Sequence, residues 1–232
     1  MNTGTKEGEA MGSAGPKIEV TSGGPYFVTG NVPLARRTME CDPDGNARGW
    51  LPETRIVEEG SYALCRCGQS GDKPFCDGTH VEVCFDGAET ASRKPYLERA
   101  EKTEGPALDL TDAADLCVHA GFCRQAAGTW DLVERSDDPE ARKTAIQQAG
   151  DCPCGRLVAY DKAGNAMEPR FDPSIEIIED SAAGGRGPIW VRGGIPVQSA
   201  DGSTYEVRNR VTLCRCGKSS NKPFCDGRHV EE

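Results

Sequence analysis

Two segments of this chain repeat each other so closely that whatever one folds into, the other must fold into as well. Cys65-Arg66-Cys67-Gly68-Gln69-Ser70-Gly71-Asp72-Lys73-Pro74-Phe75-Cys76-Asp77-Gly78-Thr79-His80 recurs as Cys214-Arg215-Cys216-Gly217-Lys218-Ser219-Ser220-Asn221-Lys222-Pro223-Phe224-Cys225-Asp226-Gly227-Arg228-His229. A repeat of this kind constrains the architecture before any strand or helix is assigned. The likeness continues upstream, where residues 25–34 parallel 188–197 and Ile18-Glu19-Val20 resembles Ile175-Glu176-Ile177. Each module reads as short β-strands leading into a cysteine loop. Strands are expected at residues 26–28, 54–57, 189–192 and 205–213, rich in β-branched or aromatic residues with Gly and Pro nearby. The first module carries a 14-residue insertion that includes the turn-like Cys41-Asp42-Pro43-Asp44-Gly45, a size that surface loops tolerate.

Hydrophobic residues are 37% of the 232 and aromatics 6%, too few for one large apolar core, so small units held by something else are expected. Twelve cysteines in so polar a chain indicate what that something is. No apolar run approaches the length of a membrane span, and residues 1–17 are Gly, Ser, Thr and Glu rich without a signal-peptide core, so a soluble cytoplasmic protein with a disordered N-terminal segment is expected. In a reducing compartment grouped cysteines serve as metal ligands or redox groups more often than as disulfides. A net charge of −10 argues against nucleic acid and anionic membranes as partners, and permits steering toward a basic protein.

In both repeats the spacing is C-x-C, eight residues, then C-x-x-x-H. Neighbouring thiolates repel unless a cation neutralises them, so four such ligands on a Gly- and Pro-punctuated loop form a metal site. A C-x-C pair can place both sulfurs on one metal atom, while Cys76 with His80, or Cys225 with His229, can bind a second from a loop entering a helix. Asp77 and Asp226 stand where a helix N-cap belongs. Spacing alone admits a tetrahedral Cys3His zinc site as well as an iron–sulfur cluster.

The string C-x-C-x-x-S-x-x-x-P-x-C-D-G-x-H resembles the signature of the CDGSH iron–sulfur domain family, the mitoNEET-like proteins, at every fixed position of both copies. The resemblance implies a [2Fe–2S] cluster under a β-cap in each module. Its ligands would be Cys65, Cys67, Cys76 and His80 in the first and Cys214, Cys216, Cys225 and His229 in the second. Thr79 and Arg228 depart from the small residue usual before the His, at a position that is not a ligand. Family members with one motif generally dimerise. A chain with two is expected to form the same pseudo-two-fold arrangement within a monomer.

Between the modules the character changes. Residues 138–149 have helical composition, and 156–160 read as a strand before a turn at 161–165. Leu116-Cys117-Val118-His119-Ala120-Gly121-Phe122-Cys123, followed by Asp151-Cys152-Pro153-Cys154, resembles a divergent mono-cluster ferredoxin. Cys117, Cys123 and Cys152 are three of the four usual ligands, and Ala120 replaces the other. Three ligands suffice for a [3Fe–4S] cluster, and His119 or Cys154 could complete a [4Fe–4S] site. The alternatives are a degenerate domain whose cysteines are small buried hydrophobes, and a Cys152–Cys154 redox pair.

Cys41 and Cys84 read as ordinary thiols, the Gly184-Gly185-Arg186-Gly187 run as a linker, and Arg66, Lys73, Arg215 and Lys222 either as tuning groups or as solvated surface charge. Two of the three histidines are assigned to the repeats, which leaves His119 as the sole candidate base and argues against an enzyme. The expected fold is β-rich α+β. Its parts are a segment 1–17, a module 18–94, a ferredoxin-like middle domain 95–173 and a second module 174–232. The expected function is electron transfer, redox sensing or cluster transfer with a redox partner or apo-acceptor protein. The rivals are an electron-transfer subunit of an oxidoreductase and a zinc-stabilised interaction module.

Overall fold

β-branched and aromatic runs become strands because they pack well on a pleated, half-buried surface. A computed structural model describes residues 15–231 apart from 44, 46, 58 and 182. The chain is a small β-rich α+β fold. In the first module lie β1 (Lys17–Val20), β2 (Tyr26–Thr29), β3 (Leu34–Cys41), β4 (Ala47–Trp50), β5 (Thr54–Val57) and β6 (Tyr62–Leu64). Its last element is the one-turn helix α1 (Thr79–Glu82). The middle segment contributes β7 (Glu101–Glu104), β8 (Leu108–Asp112), α2 (Thr129–Glu134), α3 (Pro139–Asp151) and β9 (Leu157–Asp161). The second module adds β10 (Ser174–Asp180), β11 (Ile189–Arg192), β12 (Val197–Gln198) and β13 (Arg210–Leu213). Residues 1–14 of the segment expected to be disordered lie outside the described residues, and Lys17 already opens β1.

The two modules complete each other's sheets. One sheet runs β12-β1-β2-β6, so its edge strand comes from the second module. The other runs β13-β11-β10-β3-β4, with β5 also on β3, so half of it comes from the first. The exchanged contacts are both parallel and reciprocal: Ile18 faces Val197, and Ile175 faces Leu34. In the repeat these are equivalent residues with the modules interchanged, which is the signature of a two-fold relation. Ile18, Leu34, Ile175 and Val197 are all buried in one core that also takes in Tyr96, Ala113, Leu116 and Val158 of the middle segment.

The insertion is not a free loop. It folds back as β4 and β5 on β3, and Trp50 stacks between Phe122 of the middle segment (5.0 Å) and Trp190 of β11 (4.9 Å). Burying so much aromatic surface is worth far more than leaving it in a solvated loop. The strand expected across 205–213 is confined to β13. Upstream, Tyr205 donates to Glu89 at 2.8 Å, and Arg208 donates to the Gly155 carbonyl at 2.6 Å and lies over the Tyr96 ring.

The middle segment is a three-stranded sheet, β7-β8-β9, covered by α2 and α3. Asp138 caps α3 by accepting from the Glu140 amide at 3.1 Å, and Pro139 occupies the first turn, where its missing N–H costs nothing. Ala141, Ala145 and Ala149, one helical turn apart, turn a small-residue face toward Leu108, Leu110 and Leu157. Among the described residues no helix is long and apolar enough to cross a membrane.

Because Leu34 is fully buried where the two modules exchange strands, Leu34→Ala is expected to cost about 2–5 kcal/mol. Urea unfolding followed by far-UV circular dichroism should show one transition displaced as a whole. Two transitions, with the second module unaffected, would mean that the modules fold separately.

Candidate metal centres

Each cysteine loop leaves the last strand of its module and returns beside it. In the first, the Cys65 amide donates to the Pro74 carbonyl at 2.8 Å and the Cys76 amide to the Ala63 carbonyl at 2.9 Å. In the second, Cys214 donates to Pro223 and Cys225 to Thr212, both at 2.9 Å. The loop interior is closed by its own side chains. Ser70 donates to the Phe75 carbonyl and Ser219 to the Phe224 carbonyl, each at 2.7 Å. Lys73 and Lys222 donate to the Ser70 and Ser219 carbonyls of their own loops.

The Asp residues act one position earlier than an N-cap. The residue preceding α1 is Gly78, and Asp77 accepts from the amides of Thr79 (3.0 Å) and Gly71 (2.7 Å), tying the two arms of the loop together. Those amides hold its carboxyl well below the usual range. Asp226 does the same with Arg228 and Ser220.

This scaffold sets two donor pairs in each loop. Cys65 and Cys67 have their sulfurs 3.8 Å apart, and Cys214 and Cys216 3.7 Å. Two thiolates on one tetrahedral metal at about 2.3 Å stand about 3.8 Å apart. The second pair is Cys Sγ with His Nδ1, at 3.3 Å for both Cys76–His80 and Cys225–His229. Among the described residues no three His, Cys, Asp or Glu side chains close on a single ion position. In each loop the close donor contacts are two separate pairs, one Cys–Cys and one Cys–His.

Burial disfavours charge at several of these side chains unless a cation is present. It pushes Cys225 up to about 12, raises Cys67, and lowers His229 to about 4, so this imidazole is neutral and has a lone pair to give. Cys214 moves the other way, lowered chiefly by the hydrogen bond from Cys216.

The two loops meet back to back. A Cβ on Gly68 would lie 2.5 Å from the Cys216 carbonyl oxygen, and one on Gly217 would lie 2.6 Å from that of Cys67. Only glycine allows this mutual approach, and both residues have φ near +80°. The arginines inside the C-R-C motifs are braces, not solvated charge. Arg66 is 2% exposed, donates to the Thr21 and Gly87 carbonyls and lies over Tyr26 and Phe85. Arg215 donates to the Gly187 carbonyl at 2.5 Å, which gives the glycine-rich run a structural role.

The sites differ in access. Cys76 and His80 are partly open to solvent, whereas Cys225 and His229 are 1% and 3% exposed.

In the middle segment Cys117, Cys123, Cys152 and Cys154 line one small cavity together with His119 and Ala120. The Cys152 and Cys154 sulfurs are 3.4 Å apart, and Cys154 is buried. The hydrogen bond from Cys154 and the nearby Arg210 draw Cys152 down, while the contact with Cys152 and burial push Cys154 up. His119 is largely exposed, so Cys154 is the better placed of the two candidates to complete the set. Cys41 lies 3.8 Å from an Asp180 oxygen, outside all three sites, and Cys84 is exposed.

Sequence reasoning did not find Tyr26 or Arg210. Tyr26 of the first module sends its hydroxyl to the Cys214 (2.8 Å) and Pro223 (2.9 Å) carbonyls of the second loop. Arg210, 1% exposed, donates to the carbonyls of Ala149, Cys152 and Leu157 and to Glu168. Neither residue belongs to a motif, and both act across distances of chain that no local pattern reveals.

Residues 23–81 and 186–230 match the family model described as an iron-binding zinc finger of CDGSH type, and residues 103–162 match that of a divergent 4Fe-4S mono-cluster. No curated protein and no solved structure matches the chain.

The difference in access predicts that an iron chelator bleaches the visible absorbance in two phases, the faster belonging to the first site. His80→Cys should alter the fast phase alone. A single phase would show that burial of the second Cys–His pair gives no protection.

Proposed function

Since this chain is a tandem CDGSH iron–sulfur protein with a divergent 4Fe-4S mono-cluster segment between its two motifs, we propose that it carries two [2Fe–2S] clusters for electron or cluster transfer. The ligands are Cys65, Cys67, Cys76 and His80 in the first site and Cys214, Cys216, Cys225 and His229 in the second. The observation that carries this reading is the division of each loop into a Cys–Cys pair at metal-sharing distance and a separate Cys–His pair. The middle cavity, with its four thiols, suits a third cluster.

When bound, a cluster with one imidazole among its ligands supplies one-electron chemistry at a higher potential than a four-thiolate cluster, because the neutral ligand leaves it less negative. The chain's own residues supply the rest. Asp77 and Asp226 stiffen the loops, Arg66 braces the first loop through the Thr21 and Gly87 carbonyls, Arg215 places permanent positive charge near Cys216 and Cys225, and Gly68 and Gly217 bring the sites together. Two of the three histidines belong to the two ligand sets and no nucleophile has an evident base, so the chain is read as a carrier rather than an enzyme. The net charge of −10 steers it toward a partner with a basic face, in the cytoplasm, with the chain itself a monomer.

Anaerobically purified protein should contain about four irons and as many sulfides in the two CDGSH sites, with any excess in the middle segment. Two zinc ions and negligible sulfide would overturn this reading in favour of a zinc-stabilised module.

His80→Cys and His229→Cys should each lower the potential of one cluster, by on the order of 100 mV, in a redox titration followed by EPR. Unchanged potentials in both variants would remove the histidines from the ligand set.

A further inference from the structure

The pseudo-two-fold relation between the CDGSH loops is broken at one place. Gly78 of the first loop has open space where a Cβ would be, with nothing within 4 Å among the described residues. Its counterpart Gly227 is covered: a Cβ there would collide with the His119 ring and lie 3.3 Å from the Cys117 carbonyl oxygen. Around that contact Val118, Cys154 and Cys225 form one buried cluster, with Ala120 and Cys152 packed against it. A thiol of the middle cavity and a ligand of the second CDGSH site thus belong to the same patch of interior.

The attachment is reinforced on both sides. The Asn221 side chain, within the second loop, donates to the Asp115 carbonyl at 3.0 Å, just ahead of Cys117. Arg210, four residues before Cys214, holds the Cys152 carbonyl at 2.8 Å. On its other face the second loop meets the first through the Gly68–Cys216 and Gly217–Cys67 approaches. The second site is therefore enclosed between the other two, and Cys214, Cys225 and His229 are accordingly buried.

We infer that the chain is an internal three-site electron relay, with the second CDGSH site as its inner node between the four-cysteine site of the middle segment and the first CDGSH site, whose Cys76 and His80 are partly open to solvent. This rests on the cluster-binding reading above and adds to it an order and a direction. A cluster held by the four thiols of the middle cavity would be more negative than one with an imidazole among its ligands, which favours the lower potential at the middle site. With clusters held at the three sites, an electron from a one-electron donor of ferredoxin or flavin type would enter at the middle cysteines, cross to the second loop at the Val118–Cys154–Cys225 contact, and leave near Cys76 and His80 to a one-electron acceptor, each site returning to its starting oxidation state with no atom transferred.

The test uses the full chain, purified without oxygen and reduced stepwise with dithionite, with iron and sulfide counted in the same samples. EPR signals of the two CDGSH sites are assigned by their displacement in His80→Cys and His229→Cys. In wild type the signal of the second site is expected to relax faster than that of the first, because a neighbouring paramagnetic centre shortens its relaxation. Cys117→Ser with Cys123→Ser, chosen because neither residue packs on Cys225, should abolish that excess for the second site and leave the first unchanged. The wild-type comparison stands by itself if that variant fails to fold. Equal relaxation of both signals in wild type, or a middle site without iron while the CDGSH sites hold theirs, would overturn the relay. Absence of iron and sulfide from the CDGSH sites would overturn the cluster-binding reading instead.

Discussion

The reciprocal parallel pairing of Ile18 with Val197 and of Leu34 with Ile175 is the constraint on which the rest of the molecule depends. Neither module can complete its own sheet, since each takes an inner or edge strand from the other. Closing both sheets at once places β6 and β13, and hence the loops that follow them, about one pseudo-symmetry axis. The glycines at the crossing and the Tyr26 hydroxyl on the opposite loop's carbonyls then settle how closely the loops approach.

Two additions disturb that symmetry, and they act together. The insertion in the first module contributes Trp50, whose stacking on Phe122 and Trp190 clamps the middle segment to β11. The middle segment in turn covers the second cysteine loop and leaves the first uncovered. A duplicated motif with nearly identical internal geometry, 3.3 Å between Cys and His in both copies, thereby sits in two different environments. Burial is a property of what packs against a loop, so identical sequences can differ in solvent access and in electrostatics.

Charge is handled by arginine throughout. Glu176, 1% exposed, lies between Arg37 and Arg192 across the junction of β10, β3 and β11. Arg156 forms a two-pronged pair with Asp112, at 2.6 and 2.8 Å, beside the Cys117 end of the middle cavity. Planar guanidinium groups satisfy several acceptors at once, which lets them sit where a lysine ammonium would leave acceptors unmatched. In Arg66, Arg210 and Arg215 the acceptors are mostly loop carbonyls. Arg210 and Arg215, which hold the loops in shape, thus also bring positive charge near thiols, Arg210 at Cys152 and Arg215 at Cys216 and Cys225.

Much of this was legible in the chain itself. The repeat announced two like modules because ligand spacing is a local property of a short loop, and the strands β2, β5 and β11 and the helix α3 follow from local propensity, capping and periodicity. The Cys–Cys and Cys–His pairs are local for the same reason: two or four residues separate their members. What the tertiary structure decided is everything that joins distant segments. Strand exchange between modules depends on which edges meet, and no residue within β1 or β12 encodes it alone. β13 is shorter than the sequence suggested because Tyr205 is held by Glu89 of the first module and Arg208 by the Gly155 carbonyl of the middle segment. The brace made by Arg210, the shelter over Gly227 and the difference between His80 and His229 arise from packing between segments far apart in sequence. Local pattern names the ligands, and long-range burial sets the conditions under which each of them works.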